Sequence, residues 1–417
     1  MDKVYLDYSA TTPVDSRVVD EMQPYFSNVF GNPSSLHSFG VEAKRAITEA
    51  RKFLAFFVGC HDREIIFTSG GSESDNLAIN GVIDAVGLNW QDEELPHVVT
   101  TAFEHKAVLN TIKELEASGK IQATYVRPEE DGVVRSEKIL AAIRDNTVLV
   151  SVMYVNSEVG TIQPIREIGL GVARVNEARE RIGKQRIYFH TDAIQAAEFL
   201  QIGPNYLGVD LLTITAHKIY GPKGTGALYV RKGTPIRSQV NGGSQEYGVR
   251  AGTENVPGIV GFHAAVVLVA EHRAESRPQK RDEALLCKEI YVDDEALRIA
   301  KLRDMLIEGV LRGVSGAYLN GDRTQLAPHI ANISFVGVES EAIVYSLDAK
   351  GVAVSSGSAC TAVEVEPSYV LESMGLPRER TTSGVRFSLG RYTTPAEVKR
   401  VMEVLPPVIE RLRKQHG

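Results

Sequence analysis

Thr213-Ile214-Thr215-Ala216-His217-Lys218-Ile219-Tyr220-Gly221-Pro222-Lys223-Gly224 is the stretch on which the reading of this chain turns. The apolar run that enters it, Leu211 to Ile214, has the character of a buried strand. It ends in small residues that set His217 and Lys218 where the chain leaves the sheet. Gly221-Pro222-Lys223-Gly224 then makes a tight turn before Gly226-Ala227-Leu228-Tyr229-Val230 opens another strand. A lone lysine is usually a solvated surface charge. This one lies between two strands, and upstream Ile187-Tyr188-Phe189-His190-Thr191-Asp192-Ala193 is a second apolar run ending in an acid. Lys218 and Asp192 are therefore expected to converge at one sheet edge.

A lysine desolvated in such a place is a natural Schiff-base former, and an aspartate facing a pyridine nitrogen keeps that ring protonated as an electron sink. Pyridoxal 5'-phosphate (PLP) needs both. The segment from Tyr188 through Gly226 resembles the fold-type I PLP enzymes, and most specifically the NifS/IscS-type cysteine desulfurases. The resemblance implies an α/β fold. A PLP-binding large domain over residues 16–262 would hold a mixed, mostly parallel sheet flanked by helices, and residues 1–15 and 263–417 would form a smaller α+β domain. It also implies PLP-dependent removal of sulfur from L-cysteine, giving L-alanine and a persulfide on an enzyme cysteine.

A chain of 417 residues suits one large core and one smaller one. Its net charge of -7, with no basic stripe, argues against nucleic-acid binding. Cys60, Cys287 and Cys360 are too few and too scattered for a disulfide framework or a metal cluster. No stretch approaches membrane-spanning length and the first residues lack a basic, apolar leader, so a cytoplasmic location is expected.

Val4 to Pro13 reads as a short strand and turn, and matches the desulfurase N-terminus. Val41, Ile47, Phe53, Leu54 and Phe57 then fall at helical spacing and are expected in the core. Glu64 to Leu77 reads as a strand that runs through Gly70-Gly71-Ser72 into a helix, the arrangement of a phosphate cradle. The resemblance assigns Gly71 and Ser72 to the PLP phosphate and puts Thr215 and His217 beside it. His105 at a strand-to-helix junction reads by itself as a cap; the resemblance makes it a residue that stacks on the pyridine ring and serves in proton transfer. Gln195 is implied as the hydrogen-bond partner of the PLP phenolic oxygen. Ser157 stands where relatives usually carry Asn, whose amide meets the ring oxygen. Serine is shorter and loses a donor, so either a water or a moved Asn156 is expected to make up the contact.

Gly242 to Asn255 is by composition a flexible connector. The resemblance makes its Thr253 reach the phosphate in the neighbouring subunit, which implies a homodimer with shared sites. A helix from Val256 to about His272 is expected to cross into the second domain, followed by a charged insertion over 273–295 read as a solvated excursion. Cys360 lies among Ser, Gly and Ala, in what is expected to be a mobile exposed loop at about 352–366. Free cysteine is normally a small buried hydrophobe, and nearby Glu364 and Glu366 disfavour a thiolate. The resemblance nevertheless makes Cys360 the nucleophile that takes the substrate sulfur, in a loop of the kind that hands sulfur to iron-sulfur scaffolds, with tRNA thiolation as a further outlet. Arg386, a guanidinium within the strand Gly384 to Arg391, suits bidentate capture of an amino-acid carboxylate; a strand-edge ion pair is the plain alternative. Two other readings stay open. A selenocysteine lyase or other fold-type I enzyme would keep Lys218 and Asp192 without needing Cys360, and a non-catalytic scaffold would keep only the fold.

Overall fold

The computed structural model describes residues 3–88, 90–91, 93–275, 293–357 and 366–416. Cys360, Cys287 and most of the charged insertion lie outside the described residues. The chain opens with β1 (Val4–Tyr5). Seven strands then build the main sheet: β2 (Ile65–Thr68), β3 (His97–Thr101), β4 (Gln122–Val126), β5 (Thr147–Ser151), β6 (Tyr188–Asp192), β7 (Leu211–Thr215) and β8 (Gly226–Val230). Their order is β2-β8-β7-β6-β5-β3-β4. Only β8 runs against its neighbours; the other pairings are parallel.

Parallel strands require covered faces and crossover connections, and the sequence supplies both. All residues of β5, β6 and β7 are buried. Helices Gly71–Gly87, Lys106–Ala117 and Ile165–Arg181 follow β2, β3 and β5. The helix Ser38–Val58 buries Ala43, Ala46, Ile47, Ala50 and Leu54 and stops at Gly59, whose φ of 79° suits a left-handed cap. Val41, expected in the core, is instead 56% exposed, because the inward stripe runs through Gly40, Ala43, Ile47, Ala50 and Leu54 and leaves position 41 on the outer face. The helix Val256–Glu275 packs along Ser16–Met22 and Ser38–Val58.

A second, antiparallel sheet follows the order β12-β13-β10-β9, from β9 (Ala317–Asn320), β10 (Ile330–Phe335), β12 (Ser355–Ser356) and β13 (Gly384–Ser388). Between them β11 (Val352–Ala353) pairs in parallel with β1, Val4 against Val352. The start of the chain is thereby sewn to its last third. Leu6 donates its N–H to Ala353 O, and Ser388 donates back to Leu6 O at 2.8 Å.

The Gly-rich stretch 242–255 is pinned at its middle. Glu246 is buried and accepts from Arg51 through both carboxylate oxygens, at 2.6 and 2.7 Å, and from the Phe67 N–H at 2.8 Å. Arg51 also lies over the rings of Phe67 and Tyr247.

Candidate active site

The C-terminal ends of the parallel strands open on one edge of the main sheet, the edge at which open α/β sheets bind ligands. Asp192 is the last residue of β6, and Lys218 closes a one-turn helix, Ala216–Lys218, directly after β7. His105 follows β3, Ser157 follows β5, and Gly71 and Ser72 follow β2. These residues line one cavity of about 380 Å³ together with Ser9, Gln195, Thr215, His217 and, from the second sheet, Arg386. Thr253 is exposed and does not line it.

Lys218 donates from Nζ to the carbonyl oxygens of Ser9 and Ala10, the latter at 2.7 Å. Burial lowers its amine to about 8, and the Arg386 charge acts in the same direction, while Asp192 and Asp7 partly oppose them. The turn behind it is strained. Tyr220 has φ 67°, is fully buried, and is held by Thr12 Oγ1, which accepts its N–H at 2.8 Å, and by Arg391, whose N–H it accepts.

Asp192 accepts the Ile194 N–H at 2.9 Å. Burial raises its carboxyl, with His105, the Ile194 N–H and Lys218 pulling the other way. Beside it Asp75 is completely buried, and neither of its carboxyl oxygens has a hydrogen-bond partner among the described residues. Burial and the Asp192 charge push the Asp75 carboxyl well above the usual range. His190 lies 3.6 Å from Asp75, but burial lowers the imidazole to about 3.

At the far end Gly70 adopts φ 154° and ψ -178°, a conformation essentially reserved for glycine. The helix Gly71–Gly87 then starts without a side-chain cap, which leaves first-turn amides for an anion. A Cβ on Gly226 would lie 2.7 Å from the Gly70 carbonyl carbon, so β8 can pass beneath this turn only as glycine. His217 is lowered to about 4 by burial and by Lys218 and Lys223, and its neutral ring meets Thr11 Oγ1 at 3.2 Å. Thr215 donates from Oγ1 to Thr225 O at 3.0 Å.

His105 caps the helix Lys106–Ala117, accepting the Ala107 N–H at Nδ1 (3.2 Å), and the same ring lines the cavity. Gln195 donates to Ser9 O at 2.9 Å, and its Oε1 faces His329 Nε2 at 3.1 Å. Asn156 has not moved to replace an amide at 157. Its side chain donates to Phe103 O at 3.0 Å and accepts the N–H groups of Glu158 and Val159, both at 2.9 Å. The turn itself consumes that amide, which corrects one of the two expectations raised by Ser157.

Arg386 forms the ion pair that was the plain alternative: Nη2 donates to Asp7 Oδ1 at 2.8 Å, and Nη1 donates to Ser157 O at 2.8 Å. It faces the cavity as well. Two residues of this neighbourhood, Asp75 and His329, carry no local sequence signal, and for Ser9 and Asp7 the sequence suggests no role. Asp7 stands within the recognisable Tyr5-Leu6-Asp7-Tyr8 motif, yet nothing near it in sequence names a partner 379 positions away.

The aminotransferase class-V family pattern matches residues 4–401. The chain belongs to the class-V aminotransferase family, among the cysteine desulfurases. It is 43% identical over 412 residues to a cysteine desulfurase IscS of Dictyoglomus turgidum, covering 99% of this chain and 95% of that one. A cysteine desulfurase IscS of Methanosarcina thermophila is 43% identical over 98% of this chain and 93% of its own. Among solved structures, a NifS-like protein superposes with a TM-score of 0.85 at 32% identity, covering 98% of this chain and 100% of that chain. The structure of SspA in complex with cysteine matches with a TM-score of 0.75 at 33% identity, covering 94% and 100%. The fold is that of the NifS-like PLP enzymes, and the cofactor of this class-V aminotransferase is PLP. The cavity fits it. A half-buried amine with a lowered pKa, a buried carboxyl at the same sheet edge, an uncapped helix start and an orphaned Ser9 hydroxyl share one cavity.

Proposed function

We infer that this enzyme removes sulfur from L-cysteine, releasing L-alanine and leaving a persulfide on Cys360 that is passed on for iron-sulfur cluster assembly. The observation that carries the reading is the meeting of Lys218, Asp192 and Arg386 in one cavity. Bound PLP supplies an electron sink for the charge that develops at the substrate Cα. Lys218 is the residue to hold it covalently, Asp192 the partner of its ring nitrogen, His105 the residue on its ring face, and Gln195 and Ser157 the contacts near its ring oxygen. Gly71, Ser72, Thr215 and His217 form the phosphate end, with Thr253 contributed from the neighbouring subunit.

The remaining work belongs to the chain. Arg386 takes the substrate carboxylate and thereby fixes which way the thiol points. The Lys218 amine, neutral in a good fraction of molecules near pH 8, takes the proton from Cα and returns it later. His105 moves the proton at the thiol. Cys360 as thiolate attacks the substrate sulfur, and the S–S bond forms as the C–S bond breaks.

The homodimer belongs to the same reading. It is supported by an exposed apolar stretch that includes Phe26, Phe30, Leu36 and Phe39, with the Phe30 and Phe39 rings 5.7 Å apart. The division into a large domain (16–262) and a small one (1–15 with 263–417) is proposed on the two sheets. Cytoplasmic residence is proposed because a persulfide-forming cysteine suits a reducing compartment.

The test is L-alanine release and protein-bound persulfide from purified protein given PLP and L-cysteine, beside Lys218→Ala and Cys360→Ala. Both products should appear in the wild type and vanish in each variant. Alanine formed equally well without Cys360 would sink the nucleophile assignment.

A further inference from the structure

Arg386 is gripped from two sides by groups that belong to different parts of the fold. Asp7 comes from the N-terminal segment and Ser157 from the turn after β5, each 2.8 Å from a different terminal nitrogen. A guanidinium bonded at both Nη atoms cannot rotate out of its plane without breaking one of them. Each Nη carries two hydrogens, so one on each remains after these bonds. With Nε, which has no partner among the described residues, they leave the guanidinium enough free donors for the two oxygens of a carboxylate.

Asp7 does not drift relative to the arginine it holds. Its main chain bridges Ser388, two residues beyond Arg386 on the same strand, and Tyr8 donates to Ser388 O at 3.3 Å. Tyr5 Oη donates to Asp7 O at 3.1 Å. Acceptor and donor therefore share one frame. The pair is also well sheltered, with side chains 13% and 22% exposed, unlike the fully solvated ion pairs that contribute little.

We propose that Asp7 is a positioning residue that aims the Arg386 guanidinium at the substrate carboxylate and so sets the affinity for L-cysteine. The proposal rests on reading Arg386 as the carboxylate anchor. Asp7 itself makes no contact with substrate in this account; it acts through the arginine, on binding more than on turnover.

The experiment uses the PLP-loaded enzyme and two readouts: steady-state kinetics with L-cysteine, and equilibrium titration with L-alanine followed by the cofactor absorbance. In Asp7→Ala, KM and the L-alanine dissociation constant should rise together by about tenfold or more. The accompanying loss in kcat should stay below about threefold. Asp7→Ser, polar but too short to reach Nη2, is a second truncation expected to behave alike. Asp7→Asn keeps a neutral acceptor and should restore most of the affinity. A loss of kcat with KM and alanine affinity unchanged in the truncations would overturn the proposal. Arg386→Ala separates the layers: if it binds L-alanine normally, the anchor reading fails, whereas if it is impaired and both truncations are not, only the role of Asp7 fails.

Discussion

Lys218 and Arg386 are two cations on the wall of one cavity, brought there by different sheets, and their surroundings treat them in opposite ways. Lys218 touches carbonyl oxygens, and among the described residues no carboxylate forms an ion pair with it. Burial and the neighbouring arginine push it toward the neutral amine. Arg386 has a carboxylate at 2.8 Å. A group that must shed and regain a proton is kept among dipoles, and a group that must stay charged is given a counter-ion. One cavity can thus hold a base and a binding site that two different sheets supply.

The sharpest way to break this contrast is to remove the amine. Lys218→Ala should lower alanine release by roughly 1000-fold or more. Borohydride should no longer fix the cofactor to the protein; covalent fixation that survives would assign the base elsewhere.

Arg51 calibrates the comparison, since it is a third sheltered cation, paired with Glu246 away from the cavity. Glu246→Leu strands its charge and should cost about 3–5 kcal/mol of stability. Thermal unfolding would register the loss, while KM for L-cysteine in the folded fraction stays put. A changed KM with unaltered stability would mean that this pair serves the site directly.

Next in size is Arg386→Lys, which keeps the charge and loses the fork. KM for L-cysteine should rise roughly 10- to 100-fold. A lysine that serves equally well would reduce the anchor to a simple point charge.

The smallest effect concerns pH. Uptake of PLP by the apoprotein needs the neutral Lys218 amine, so its rate should rise with pH through a midpoint at about 8. In Arg386→Met a nearby positive charge that disfavours lysine protonation is gone, so the midpoint should move upward. Stopped-flow absorbance would follow it, and a midpoint that falls would contradict the electrostatic link between the two cations.

Much of this was legible in the sequence because it is local. A strand running into Ala216-His217-Lys218, a second ending at Asp192, and a Gly-Gly-Ser turn before a helix each announce themselves within a dozen residues. What escaped notice is what long-range pairing decides. Glycines make 242–255 look like a loose connector, yet Arg51, 195 positions away from Glu246, pins it. Asn156 looks available to stand in beside Ser157 until the turn is seen to use its whole amide. Asp75 gives no signal at all, because an acid near the start of a helix reads as ordinary until its burial is known.

The stitching of β1 to β11 and of Leu6 to Ser388 has a consequence for how the enzyme is born. The first strand leaves the ribosome with no partner to pair with. Asp7 must wait for Arg386, 379 residues later, which at about 5–20 residues per second is roughly 20–75 s of synthesis. The main sheet can close during that interval, since its seven strands all lie between Ile65 and Val230. A nascent chain halted before residue 384 would thus hold Lys218 and Asp192 while lacking the arginine that selects what they act upon.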